Sequence, residues 1–445
     1  MALNEFAYRN RLVSHELVLG IAAGAALIAF ACSSDTSSNG SPDAGAGGKT
    51  GSSTGGTSST GGQSSSGGAS GSSAGGNNTA GSSAGGSTGS GGKGTGGKTG
   101  TPDGGPDGAA GNDGGGVITL VVKETDLVAD TSGIAPTTDP NLLNPWGLVP
   151  NPTAGAFWVS DNHSGMATVY QPTGGASVLN VKVPGPADED GGFTSAPTGQ
   201  VFNGTAADFN GDKFIVDSED GTISGWQTAG QPFVRRVDNS ADSGYKGLAL
   251  IKNGTAQELV ATNFHKGTVD VFDAQYAPVA APGFVDAGSP ALPGGFAAFN
   301  VVSIGTSVYI TYAKQDADKA DDAKGPGNGY VSVFKTDGTF VKRLVSAGDL
   351  NSPWGLAVAP DSWGALAGTL LVGNFGDGSV HAYDLTTGDA RGALVDAHGP
   401  LVLPGLWALV VGPKIAAADY SSSVYFTAGP NDEDDGIFGK LDVVK

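Results

Sequence analysis

The chain has 445 residues, 76 of them glycine, with a formal net charge of −20 and a single cysteine. That acid excess excludes a general role on nucleic acid, whose phosphates demand a lysine- and arginine-rich surface, and argues against an anionic membrane surface as the target. One cysteine excludes an intrachain disulfide framework, so any folded part must stand on its own core.

Residues 1–31 read as an export signal of the lipoprotein type. Arg9 and Arg11 precede an apolar run from Leu17 to Ala31 that is too short for a comfortable membrane span. Ala29, Phe30 and Ala31 lead into Cys32, an arrangement similar to the lipobox of bacterial lipoproteins, although Ala29 stands where that pattern prefers leucine. The expectation is a diacylated Cys32 that anchors the chain to a membrane; the plainer alternative is ordinary signal cleavage beside an incidental cysteine. Residues 32–116 are almost wholly Gly, Ser, Thr, Ala and Asn. A segment without apolar anchors is expected to stay disordered and to act as a tether with a root-mean-square span of roughly 50 Å.

Residues 117–445 form the third segment, and helical periodicity is scarcely visible there. Short runs rich in Val, Ile, Phe, Tyr and Thr alternate with Gly, Pro, Asn and Asp turns, the pattern of an all-β repeat. NPWGLV at Asn144–Val149 recurs as NSPWGLAV at Asn351–Val358, and aligned starts fall at Trp146, Gly199, Gly247, Asn300, Trp354 and Trp407, about 48 to 54 residues apart. Each unit reads as four strands: WGLV, FWVSD, ATVYQ, SVLNVKV; then TGQVFN, KFIVDS, GTISGW, FVRRVD; then KGLALI, ELVATN, GTVDVF and a faint APVAAP. FNVVSI, SVYITY, GYVSVF, FVKRLV and WGLAVA, TLLVGN, GSVHAY, ARGALV follow, and the last unit has GLWALVV, SVYFTA and GIFGKLDVV. That unit lacks an outer strand, whereas Ile118–Val128 precedes the first as a spare. The expected fold is therefore an all-β, six-bladed β-propeller closed by its N-terminal strand; a seven-bladed ring or an open solenoid is the alternative.

The tip after every second strand is polar: Asp161, Asn162 and His163; Glu219 and Asp220; Asn263 and His265; Lys314, Gln315 and Asp316; Asn374 and Asp377; Asn431, Asp432 and Glu433. In a propeller these tips ring one mouth of the central channel. Asn, Asp and Gly also suit tight turns by themselves, which is the bland explanation for any single one. Taken together they are candidates for binding a small polar ligand or a protein. The acids Asp161, Glu219, Asp316 and Asp377 are the candidates for a hard cation such as Ca²⁺.

Other patterns point less far. DFNGD at Asp208–Asp212 has the alternate spacing of a calcium loop in Asp208, Asn210 and Asp212, but Lys213 stands where glycine is expected and no Glu sits at the closing position, so a turn is the alternative. Asp188–Asp190 and Asp432–Asp435 read as solvated loop acids. No HExxH or GxSxG occurs, so neither zinc hydrolysis nor a serine nucleophile is signalled. Trp146, Trp354 and Trp407 read as channel-lining core rather than a sugar platform.

The blocks NPWGL, EDGTISGW, YKGLAL, AKQDAD, LLVGNFGDG and TAGPNDEDDG, in this order, resemble an uncharacterised family of bacterial exported proteins with an NHL-type propeller. The resemblance spans Leu127 to Phe438 and implies the fold and an extracytoplasmic place, with no activity or catalytic residue attached. Other members often end in a Pro-Glu-Pro sorting tail; this chain ends LDVVK, so the expected anchor is Cys32. The functional expectation is an exported, periplasmic or surface lipoprotein that displays its propeller for binding. The alternative is a metal-dependent, lactonase-like hydrolase or lyase at the channel mouth.

Overall fold

The computed structural model describes residues 118–186 and 195–444. The expected signal, Cys32, the tether and the Asp188–Asp190 acids lie outside them.

Among the described residues, helix is limited to two three-residue 3₁₀ turns, Phe209–Gly211 and Gly364–Leu366; the rest is strand and turn. In chain order the strands are β1 (Ile118–Ala129), β2 (Thr137–Thr138), β3 (Pro145–Pro150), β4 (Phe157–Asp161), β5 (Met166–Gln171) and β6 (Gly174–Lys182). Next come β7 (Pro197–Phe202), β8 (Phe214–Ser218), β9 (Thr222–Trp226), β10 (Val234–Asp238), β11 (Tyr245–Asn253), β12 (Ala256–Asn263) and β13 (Thr268–Asp273). They continue with β14 (Phe296–Ile304), β15 (Ser307–Lys314), β16 (Gly329–Lys335), β17 (Phe340–Ser346), β18 (Pro353–Val358), β19 (Leu370–Asn374), β20 (Val380–Tyr383) and β21 (Ala390–Val395). Last are β22 (Leu406–Val411), the small hairpin β23 (Lys414–Ile415) and β24 (Ala418–Asp419), then β25 (Val424–Ala428) and β26 (Ile437–Val443). Successive strands pair as antiparallel meanders: β3 to β6, β7 to β10, β11 to β13, β14 to β17 and β18 to β21.

The spare first strand does what its position in the sequence implies, and more. Val122–Ala129 pairs antiparallel with β26, completing the order β22-β25-β26-β1, while Ile118–Val121 pairs in parallel with Gly392–Val395 of β21. One strand therefore serves the last two meanders and joins them into a single sheet. The third meander corrects the sequence reading, because APVAAP forms no strand. Pro278 and Pro282 cannot donate to a ladder, and what remains is a bridge from Phe272 to Pro278, made by the Val279 amide on the Val271 carbonyl (2.8 Å) and the Asp273 amide on the Ala277 carbonyl (2.9 Å).

Each meander's first pair of strands carries an irregularity at the same place: Pro145/Leu148, Pro197/Gln200, Tyr245/Gly247, Ala298/Asn300, Pro353/Gly355 and Leu406/Leu409. A bulge re-aims a side chain. Here five of the six first strands turn a buried residue into one central cluster, Trp146, Lys246, Phe299, Trp354 and Trp407, while Thr198 holds the equivalent place before Gly199. The bulge also lets neighbouring first strands approach closely. A Cβ on Gly147 would stand 2.3 Å from the Thr198 carbonyl oxygen, and one on Gly355 2.6 Å from that of Trp407.

Side chains at the bulges satisfy the backbone of the next meander. Thr198 reaches the Tyr245 carbonyl at 3.0 Å, Thr262 that of Phe299 at 3.0 Å, and the Asn300 amide that of Trp354 at 2.8 Å. Thr427 Oγ1 donates to the Trp146 carbonyl at 2.6 Å, carrying the series from the last meander back to the first. First strands that follow one another and return to their start around a filled axis make this a β-propeller.

Thr427 also accepts the Ala408 amide at 3.1 Å. Thr427→Val strands a buried carbonyl and a buried N–H, and should lower the unfolding free energy by about 2 to 4 kcal/mol. Urea denaturation measures it, and Thr387→Val on an exposed turn is the control expected to change little.

Candidate functional site

The axis is closed by aromatic rings. Trp146 and Trp407 stack at 3.4 Å between centroids, and Phe375 stacks on the other face of Trp407 at 3.8 Å. Trp354 meets both tryptophans edge-on at 6.0 and 5.9 Å, with Phe299 and Phe264 extending the cluster. The expectation that the three tryptophans are channel core holds: each is at most 4 % exposed.

One position in this ring is a lysine. Lys246 Nζ lies 5.1 Å from the Trp146 ring centre and 5.8 Å from that of Phe264, and its side chain is 4 % exposed. It pairs with Glu219 and, at 3.0 Å, with Asp321. Burial works against its charge, but Glu219 and Asp321 outweigh burial and hold its pKa above the ordinary lysine value.

Around this pair a network spreads over the aromatic plug. Asn162 Nδ2 donates to Glu219 Oε2 at 2.8 Å, and Asn144 Nδ2 donates to Glu433 Oε2 at 2.8 Å. Asn144 Oδ1 in turn accepts the indole N–H of Trp407 at 2.9 Å, tying the polar layer to the rings below. Lys324 Nζ stands 4.1 Å over the Phe375 ring. Burial, reinforced by Glu219, pushes the Glu433 carboxyl up to about 7, with Asn144, Lys246 and Lys324 pulling the other way. Glu433 arrives there on three consecutive left-handed residues, Asn431 (φ 57°), Asp432 (φ 53°) and Glu433 (φ 70°). Such backbone costs roughly 1 kcal/mol or more per non-glycine residue and persists only where the surroundings fix it.

The expected site residues divide. Asn162 and Glu219 meet at the mouth. Asp220 instead accepts bonds from Ser195 (2.6 Å) and Thr222 (2.6 Å), and burial raises its pKa. Asn263 is fully buried and bonds Ser243 and Asp270, and Asn374 is fully buried between Asn351, Asp349 and Ser379. Asp316 caps the Ala320 amide at 3.0 Å, and Asp377 holds Ser379 and Asn351. His163 and Lys314 are exposed, and His265 Nδ1 lies 3.3 Å from the Lys319 carbonyl. Asp161 is fully buried beneath its turn. Glu219, Asp316 and Asp377 thus spend their oxygens on separate partners while Asp161 lies buried apart from them, and among the described residues no three His, Cys, Asp or Glu side chains gather as a metal site. DFNGD forms the turn: Asp212 is taken up by Arg236 at 2.6 and 2.7 Å and by Tyr276 at 2.7 Å.

Sequence reasoning missed Lys246, Glu433, Asn144 and Asp321 as partners in one network. For Lys246 the signal was present: in YKGL it precedes glycine as Trp146 and Trp354 do in PWGL. Glu433 corrects the reading of Asp432–Asp435 as uniformly solvated, because its carboxyl turns inward.

No family model matches the chain. It is 32 % identical over 332 residues to uncharacterized protein R648 of Acanthamoeba polyphaga mimivirus, covering 71 % of this chain and 78 % of that protein. To uncharacterized protein L690 of the same virus it is 31 % identical over 335 residues, covering 71 % and 84 %. The chain belongs to the family of these mimivirus proteins. Among solved structures, a streptogramin B lyase is similar with a TM-score of 0.43 and 13 % identity, covering 73 % of this chain and 98 % of that one. The Neurospora crassa Pan2 WD40 domain gives 0.41 and 12 %, covering 71 % and 95 %.

Removing the buried cation leaves Glu219 unpaired, so Lys246→Met should cost roughly 3 to 5 kcal/mol of stability in denaturant titration. Glu433 titrates higher when folded than unfolded, so the folded state holds the extra proton between pH 4.5 and about 7. Its contribution is complete below the unfolded pKa and is lost as pH rises through about 7. Thermal melts of Glu433→Gln from pH 4.5 to 8 should therefore fall less with rising pH than those of the wild type.

Proposed function

We propose that this chain is a six-bladed β-propeller that binds a small polar ligand or a protein at the mouth above the aromatic plug. The observation that carries the reading is the network of Lys246, Glu219, Asn162, Asn144 and Glu433. It combines charged and amide groups on a fixed floor and includes a carboxyl poised near neutrality. The same reading takes the protein as exported, akin to the bacterial exported family, and held to a membrane through acylated Cys32 and the Gly/Ser-rich residues 32–116, either in the periplasm or at the cell surface.

The specific observation that favours a second reading is the pairing of two carboxyls with unlike surroundings. Glu219 faces Lys246, while burial and Glu219 raise Glu433. Two such groups can divide the roles of acid and base, which suits a hydrolase or lyase acting at the mouth.

Two measurements test the binding reading and its location. A thermal-shift panel of hydroxylated and amino-bearing small molecules should yield a compound that raises Tm of the wild type and has no effect on Asn162→Ala; equal stabilisation of both sinks the mouth as the site. Metabolic palmitate labelling should mark the wild type and spare Cys32→Ser, and equal labelling removes the lipid anchor.

A further inference from the structure

A second group of oxygens lies beneath the turn after β4, apart from the mouth. In the ladder of β4 and β5, Phe157 faces Tyr170, Val159 faces Thr168 and Asp161 faces Met166. Alternation along the strands puts Asp161, Thr168 and Tyr170 on one face. Asp161 and Thr168 are both 0 % exposed. Neither carboxylate oxygen of Asp161, nor the hydroxyl of Thr168, has a hydrogen-bond partner of normal geometry among the described residues.

The loop before β3 brings up a second acid. Asp139 Oδ2 accepts the Tyr170 hydroxyl at 2.9 Å, and its Oδ1 accepts the Asn141 backbone and side-chain N–H groups, each at 3.0 Å. Burial pushes the Asp161 carboxyl well above the usual range and Asp139 adds to the shift, while the neighbouring Thr168 opposes it. A buried carboxylate beside a second acid needs a cation, and a buried neutral carboxyl needs an acceptor for its proton. The described side chains supply no cation, and the Thr168 hydroxyl is the neighbouring acceptor that a neutral carboxyl would use.

We propose that Asp161, Asp139 and the Thr168 hydroxyl form a binding site for one calcium ion within the first meander. The donors are all oxygen, the choice of a hard cation, and two carboxylates balance a divalent charge. Calcium accepts irregular sets of six to eight oxygens, which both Asp161 oxygens begin to fill, whereas magnesium demands a near-ideal octahedron and retains its water. Thiolate and imidazole, the usual zinc donors, are not among these side chains. Bound there, the ion fastens the loop that runs from Asp139 to Asn144 onto β4 and β5. Asn144 is the residue that joins Glu433 to Trp407, so the ion stiffens the mouth without belonging to it.

The full-length chain, stripped with a chelator and returned to buffer, tests this. Added Ca²⁺ should raise Tm by several degrees, with Mg²⁺ doing much less. Asp161→Asn and Asp139→Asn should abolish the rise, while Asp318→Asn on an exposed loop should keep it. If either aspartate variant fails to fold, Tb³⁺ titration of the wild type provides the second measurement. Luminescence excited through Tyr170 and displaced by Ca²⁺ is expected, and it should weaken in Thr168→Val. The proposal is overturned if the wild type shows neither a Ca²⁺ shift nor sensitised Tb³⁺. A shift that survives in Asp161→Asn overturns it as well, and so does a Ca²⁺-insensitive wild type that Asp161→Asn makes more stable, the mark of a carboxyl buried with its proton.

Discussion

The bulge in each meander's first strand is the constraint from which the rest follows. It breaks the ladder locally and so leaves backbone carbonyls facing the neighbouring meander, where burial makes an unpaired group costly. Thr198, Thr262, Asn300 and Thr427 meet four of those carbonyls from the meander before. The glycines beside the bulges permit that approach, since a Cβ on Gly147 or Gly355 would occupy the space of the next strand's backbone. The same distortion that must be repaired between meanders also aims the side chains of Trp146, Lys246, Phe299, Trp354 and Trp407 at the axis. Assembly of the ring and composition of its centre are thus one geometric fact.

What fills the centre then decides where chemistry can occur. Three tryptophans and three phenylalanines close the axis, so a ligand meets a floor rather than a passage. Lys246 occupies a ring position in this floor, and its charge is tolerable only because Glu219 and Asp321 reach down to it. Glu219 is therefore committed to the lysine, and Glu433 is left to respond to pH. The indole of Trp407 holds Asn144, which holds Glu433, so the polar layer is indexed to the rings beneath by hydrogen bonds.

Much of the architecture was legible in the sequence because the bulge has a spelling. PWGL at Pro145–Leu148 and at Pro353–Leu356 marks a proline that starts the strand, an aromatic for the axis and a glycine for the close approach; Asn144 and Ser352 before them share left-handed backbone. The spare strand at Ile118 was legible from the unpaired arithmetic of the last unit. The faint APVAAP strand was not realised, because apolar content suggested a strand while Pro278 and Pro282 withheld the donors. The site was less legible, and for a consistent reason. Lys246, Glu433 and Asp161 are charged residues, and charge in a sequence reads as solvent exposure. Their burial depends on partners far along the chain, as with Lys246 and Asp321 or Asn144 and Glu433, and no local pattern announces such pairs.

The acids placed on the rim by their position after a strand separate by direction of side chain rather than by residue type. Asp161 ends β4 and points into its own meander, whereas Asn162, one residue later, points to the mouth and holds Glu219. A shift of one residue on a strand reverses the face, so a tip of two or three polar residues always mixes structural and accessible groups. Asp377 and Asp316 fall on the structural side, spending their oxygens on adjacent amides. Glu433 escapes the same fate because its turn is left-handed through three residues, which carries the carboxyl inward instead of back onto the loop. The strain in that turn is the cost of placing an acid of raised pKa over the plug. Its persistence requires the bonds that Asn144 makes on both sides.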